Sequence, residues 1–230
     1  MSDQSDSAPE ADHSGQIRVI VYLDGFNLFY GMRDSKLRHC YWLDVAKLAT
    51  QFTQPNQSLV STKYFTSIIS GAPNGAQHWV AKRAGEKRKR QSDYLEALKS
   101  TPSLEINFGK YLPSKMECHG CKYIWTTHEE KMTDVNIATH MLTDAFQDRF
   151  DRAILVTGDS DLVPPIKSIR TLFPQKQIIV AFPPKRHSHD LKSAASGSFF
   201  INETTLQNSQ FPDEVLLRSG RRLKRPPQWT

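Results

Sequence analysis

Strand-like and helix-like segments alternate along this chain, and that alternation constrains its fold more than any other feature. Residues 17–23 read I-R-V-I-V-Y-L, a β-branched apolar run suited to a buried strand. Further strands are predicted over 60–69, 104–112, 153–156 and 177–182, with a short sixth over 198–201. Helical spacing puts Val45, Leu48, Ala49 and Phe52 on one face of a helix over 44–51. The same spacing aligns Val135, Ala138, Met141, Leu142 and Ala145 over 133–149. A helix over 27–33 and a long charged one over 75–99, interrupted by Gly85, complete the pattern. The helix after 153–156 cannot begin much before Leu162, because Pro164 and Pro165 are tolerated only in a first turn. Strands joined by helices predict one doubly wound α/β domain, with a mostly parallel sheet between two helical layers.

In such a sheet the carboxyl ends of the strands share one edge, and ligands bind in the crevice there. Asp24 follows the first strand in Y-L-D-G-F-N, and Asp159 and Asp161 follow the fourth in V-T-G-D-S-D. Asp134 opens the helix that leads into the fourth strand. Crossover helices run antiparallel to the strands, so its N-terminus lies at the same edge. Asn27, near the start of the first helix, joins them. Each aspartate alone has an ordinary explanation as a helix cap. Four together do not. Two like charges about 4 Å apart repel by ~4 kcal/mol at an effective dielectric of 20, whereas a cap contributes ~1 kcal/mol. A hard divalent cation with oxygen ligands offsets that repulsion.

The net charge of +6 is local. Residues 1–15 hold four acids and no Lys or Arg, while 218–230 hold five basic residues and no acid. The stretch K-R-A-G-E-K-R-K-R at 82–90 contributes +5, which leaves the rest of the chain neutral. A basic patch on a neutral body suggests a polyanion contact, although a solvated helix face is the commoner origin of such a run.

Three motifs, D-G-F-N at 24–27, E-K-M-T-D at 130–134 and T-G-D-S-D at 157–161, occur in that order at predicted element boundaries. In these residues the chain, over about 17–202, resembles the NYN domain family, a branch of the PIN-like nucleases. The resemblance implies a Rossmann-like, PIN-like three-layer α/β sandwich and metal-dependent hydrolysis of RNA phosphodiester bonds. Carried over by position, Asp24, Asp134, Asp159 and Asp161 would be an acidic quartet holding Mg2+ or Mn2+. Asn27 would orient a ligand or water beside Asp24, and Thr157 and Ser160 would support the shell. Lys131 matches the motif's lysine, as a phosphate contact or as an ordinary surface residue. The implied partner is RNA, single-stranded or structured, with Lys82, Arg83, Lys87, Arg88, Lys89 and Arg90 on its backbone. A catalytically weak RNA-binding or regulatory module of the same fold is the alternative. A Rossmann-like phosphatase is disfavoured, since Asp24 is followed by Gly25 and Phe26 rather than completing a D-x-D pair.

The expected organisation is a disordered acidic tail over 1–15, the α/β domain over 16–203, and an extension over 204–230 ending in a disordered basic tail. No apolar run approaches the roughly 18 residues of a membrane span, and no apolar leader opens the chain, so the expected setting is cytoplasmic. Cys118 and Cys121 form a C-x-x-C pair with zinc-knuckle spacing, but a closed Zn2+ site needs four ligands. A tight turn around Gly120 is the preferred reading.

Overall fold

The computed structural model describes residues 15–69, 71 and 77–229; most of the acidic segment 1–15, and the start of the helix expected from residue 75, lie outside them. The chain opens with β1 (Ile17–Asp24), α1 (Gly25–Asp34), α2 (Val45–Thr50), β2 (Gln57–Thr66) and α3 (His78–Lys99). It continues through β3 (Leu104–Phe108), β4 (Lys110–Glu117), β5 (Ile124–Lys131), α4 (Thr133–Phe146) and β6 (Arg152–Val156). A 3-10 turn at Ser160–Leu162 leads into α5 (Val163–Leu172), with prolines in its first turn, and then into β7 (Gln177–Phe182). The remainder comprises α6 (His189–Ala194), β8 (Gly197–Phe200), α7 (Glu203–Asn208), β9 (Glu214–Leu216) and β10 (Arg222–Lys224).

The main sheet has six strands in the order β3-β2-β1-β6-β7-β8, every neighbouring pair parallel. Alternate side chains of β1 enter two separate cores. Val19, Val21 and Leu23 pack with α1, α2, α3 and the C-terminal segment, while Ile20 and Tyr22 pack with α4, α5 and α6. The result is the α/β three-layer sandwich that the strand–helix alternation predicts. Strand order reverses between β1 and β6, which makes their carboxyl ends the topological switch point.

One buried ion pair fixes α4 on the sheet. Asp144 Oδ2 accepts from the Tyr22 hydroxyl at 2.6 Å and from Lys63 Nζ at 2.7 Å, with both Asp144 and Lys63 sealed from solvent. The pair anchors the far end of a helix whose first turn carries Asp134, so α4 has a defined height and rotation above β1 and β2.

Two expectations are corrected. The single strand foreseen over 104–112 is two, because the chain leaves the main sheet at Gly109. A Cβ there would lie 2.7 Å from Thr133 Oγ1 and 2.8 Å from both the Lys131 carbonyl oxygen and Ser67 Oγ, so only glycine permits the crossing. Beyond it β4 and β5 form an antiparallel hairpin of their own, with Cys118 to Cys121 at its turn. Nor are residues 219–229 an unstructured basic tail. β10 pairs with β9, Leu223 is buried, and Trp229 packs edge-on against Tyr41 and Tyr94. The basic residues there have acidic partners: Arg221 pairs with Glu96, Arg222 and Lys224 share Glu214, and Arg225 pairs with Asp213. Among the described residues no helix is long and apolar enough to cross a membrane.

Met132, which precedes α4, has a left-handed backbone with φ 77°, a conformation that costs a side-chain-bearing residue roughly 1–2 kcal/mol. Met132→Gly should therefore raise unfolding free energy by about 1 kcal/mol in urea titrations. Leu223→Ala should lower it by about 2 kcal/mol. A loss within 0.5 kcal/mol of zero for Leu223→Ala would mean that the C-terminal hairpin does not unfold with the domain.

Candidate active site

The switch point is built by local capping chemistry. Asp24 ends β1 and caps α1, its Oδ1 accepting from the Asn27 backbone N–H at 2.9 Å. This abrupt strand-to-helix turn lies against β2, where a Cβ on Gly25 would come within 2.6 Å of the Tyr64 hydroxyl oxygen. Across the β1–β6 pairing, Thr157 donates its hydroxyl to Asp24 Oδ2 at 3.0 Å and accepts from the Asp159 N–H at 3.1 Å. Asn27 Oδ1 accepts from the Gly158 N–H at 2.9 Å, so Asn27 ties the loop after β6 to α1. Asp159 caps the 3-10 turn through the Asp161 N–H at 3.0 Å.

These contacts bring Asp24, Asn27, Thr157 and Asp159 into one hydrogen-bonded unit. Asp134 faces it from the first turn of α4. Burial pushes the Asp24 carboxyl up to about 7, against the opposing effect of the Asn27 N–H and the Thr157 hydroxyl; the charges of Asp134 and Glu130 push it further. Burial also raises Asp134, followed by the charges of Asp159 and Asp161. Among the described residues, the largest influences on these two carboxyls are burial, hydrogen-bond donors and further acids.

Glu130 belongs to the rim as well. Half-buried at the end of β5, it accepts from the Thr133 hydroxyl and from Ser67 Oγ at 3.1 Å. Burial raises its carboxyl, the two hydroxyls pull it back, and Asp134 raises it again. Sequence reasoning carried over only Lys131 and Asp134 from E-K-M-T-D. The signal for Glu130 was its place four residues before Asp134, but its approach to Asp24 depends on how the hairpin re-enters the domain.

Lys131 pairs with Glu129 at 2.8 Å, and Ser160 is exposed on the 3-10 turn. Of the basic run, Arg83, Lys87 and Arg90 line a cleft between α3 and α1, Lys89 pairs with Asp93 at 2.6 Å, and Lys82 and Arg88 lie outside the cleft. Cys118 and Cys121 carry free thiols at the β4–β5 turn, where the Cys121 backbone N–H and side chain hold the Cys118 thiol below its ordinary value.

The donor set suits a hard cation. The rim supplies only oxygen ligands, mostly carboxylates, held by N–H and hydroxyl groups rather than by opposite charge. Among the described residues no three His, Cys, Asp or Glu side chains are gathered closely enough to grip one ion together.

Known proteins resemble this chain in sequence and in fold. A 6-hydroxy-3-succinoylpyridine 3-monooxygenase of Pseudomonas putida is 29% identical over 189 residues, covering 68% of this chain. The match spans 57% of that enzyme's length. A crystal structure of a Vibrio parahaemolyticus protein of unknown function superposes with a TM-score of 0.52 at 18% identity, covering 87% of this chain and 100% of the other. This likeness is one of fold, and the six-stranded parallel sheet between helical layers in this chain is a PIN-like architecture. With residues 18–203 matching the model of the NYN domain, strand β1 through the start of α7, the chain belongs to the NYN domain family.

Proposed function

We propose that this protein is a divalent-metal-dependent ribonuclease. The observation that carries the proposal is the gathering of the Asp24, Asp134 and Glu130 carboxyls at the switch point, where burial, and after it the charge of neighbouring acids, raises all three. Buried carboxylates in a structural role are normally matched by a cation, as Asp144 is by Lys63. Carboxylates left unmatched at the carboxyl edge of a parallel sheet await one.

One or two carboxylates from the set Asp24, Asp134, Asp159 and Asp161, with Glu130 behind them, would hold Mg2+ or Mn2+, water and substrate phosphate completing the shell. The ion would supply Lewis-acid stabilisation of charge on phosphoryl oxygens and lower the pKa of an attacking water. Thr157 fixes Asp24 Oδ2 so that this carboxylate has one orientation. Asn27 holds the loop bearing Asp159 in place through Gly158. A carboxylate of the rim, or bulk solvent, would take the proton released as water attacks. The family membership supports RNA as the substrate class, and the alternative of an RNA-binding module without catalysis is decided by the same assay.

Asp159→Asn keeps the cap on the 3-10 turn and removes one anionic donor. Cleavage of labelled single-stranded RNA in Mn2+ should fall by roughly 100-fold or more, with thermal unfolding unchanged. Wild-type protein that binds this RNA but leaves it intact in both Mg2+ and Mn2+ would establish the binding module instead.

Burial of Asp24 has a signature of its own. Its folded pKa lies above the unfolded value, so ionisation destabilises the metal-free fold increasingly as pH rises through about 7. A shift of that size is worth about 4 kcal/mol. In EDTA, Asp24→Asn should be more stable than wild type at pH 8 and lose that advantage by pH 4. Added Mg2+ should narrow the gap at pH 8 by stabilising wild type alone. A gap independent of pH would mean that Asp24 does not ionise in this range.

A further inference from the structure

The β4–β5 hairpin is an arm of the molecule. Its base is held to the domain where Tyr111 stacks on Phe26 with planes 9° apart. Beyond that point the two strands pack chiefly on each other, pairing from Lys110 with Lys131 out to Glu117 with Ile124. Toward the tip Met116, Tyr123 and Ile124 are exposed apolar side chains.

The tip itself is the C-H-G-C turn, and its backbone is shaped around a sulfur. The Cys118 N–H donates to the Tyr123 carbonyl at 2.8 Å, and the Cys118 carbonyl accepts from the Lys122 N–H at 2.9 Å. Lys122, directly after the second cysteine, has a left-handed backbone with φ 60°, uncommon for a residue with a side chain. A Cβ on Gly120 would lie 4.0 Å from Cys118 Sγ. The backbone N–H groups of Gly120 and Cys121, and the Cys121 side chain, hydrogen-bond to that sulfur. Donors aimed at sulfur favour the thiolate, the form in which cysteine binds a metal. A turn that did no more than join two strands would have no use for them. Both thiols are free, Cys121 exposed and Cys118 half-exposed.

One chain offers half of a closed site. Structural Zn2+ takes four ligands in a tetrahedron, with thiolate among its preferred donors. Among the described residues no third His, Cys, Asp or Glu joins the pair, and Cys40 is sealed in the core packed against α1 and α2. A second copy supplies what is missing, because a two-fold axis through the tips presents the same pair twice. The end of an arm lets the tips meet while the domains stay apart. Four thiolates on Zn2+ leave a net negative centre, which Lys115 and Lys122, against Glu117, are placed to offset. The same contact would cover Met116, Tyr123 and Ile124. We propose that the Cys118–Cys121 pairs of two copies of this chain jointly bind one Zn2+ as four thiolates, clasping a two-fold dimer at the hairpin tips. Because β5 runs from the tip to Glu130, the clasp would hold two carboxylate rims in one particle.

The test uses the untagged full chain, kept reduced and stripped of metal. Co2+ reports the ligands, since thiolates give it an intense charge-transfer band in the near ultraviolet that the all-oxygen rim cannot produce. The band should reach its plateau at about half an equivalent of Co2+ per chain and be displaced by Zn2+. Zn2+ should raise the mass measured by light scattering about twofold, and EDTA should return it to that of the monomer. Cys118→Ser with Cys121→Ser should lose the band and stay monomeric, with its unfolding midpoint in EDTA unchanged. A plateau at one equivalent with the monomer mass would mean that each chain closes its own site, and would overturn the proposal. Absence of the band, a dimer that persists in EDTA, or one formed equally by the serine variant would do the same. RNA cleavage enters none of these readouts, so the clasp stands or falls separately from the ribonuclease reading.

Discussion

The parallel pairing of β1 with β6 is the contact on which everything else rests. Its last rung, Leu23 with Val156, sets Asp24 beside Thr157 and determines which side chains can meet at the rim. Strands to one side of this seam run outward as β2 and β3, and those to the other as β7 and β8. The loops leaving the two seam strands therefore diverge and leave a crevice that neither closes. Asn27 and Thr157 hold that crevice to one width by tying each loop to the other strand's end.

Two buried acids show how differently this molecule treats negative charge. Asp144, 1% exposed, has a lysine and a tyrosine hydroxyl on one oxygen and an arginine at 3.4 Å from the other. Asp24, 4% exposed, has an N–H and a hydroxyl as its hydrogen-bond partners among the described residues, with further acids beyond. The chain can build a buried ion pair, and does so beneath α4. At the rim it does not. Removing one partner from a buried pair leaves a charge that costs several kcal/mol, so an arrangement that begins without the partner is unfavourable for the isolated fold. That contrast between two aspartates of similar burial is what the proposed role of Asp24 rests on.

Much of this architecture was legible in the sequence, since strands buried on both faces read as continuous apolar runs and prolines mark where α5 begins. The positions of Asp24, Asp134 and Asp159 followed from topology, because strand ends and helix starts must share an edge. What stayed hidden depended on single atoms of clearance or on pairing partners far away. Gly109 reads as an ordinary residue within an apolar run, yet the crowding of Thr133, Lys131 and Ser67 around it turns the chain out of the sheet. Glu130 reaches the rim only because of that turn. The basic C-terminal segment read as disordered from its charge density, which masks Leu223 and Trp229 as anchors and gives no hint that Glu96, Glu214 and Asp213 are its partners.

The β1–β6 seam also determines when the rim can exist. Asp24 and Thr157 are separated by 133 positions, and every strand of one half of the sheet lies between them in the sequence. Closing so long a loop carries an entropic cost that local contacts cannot offset, and pairings of this kind slow folding. A nascent chain on the ribosome can complete β1, β2 and β3 while the edge of β1 destined for β6 stays open. Until residue 156 emerges, the carboxylates share no common edge, so the crevice is among the last features of the molecule to form.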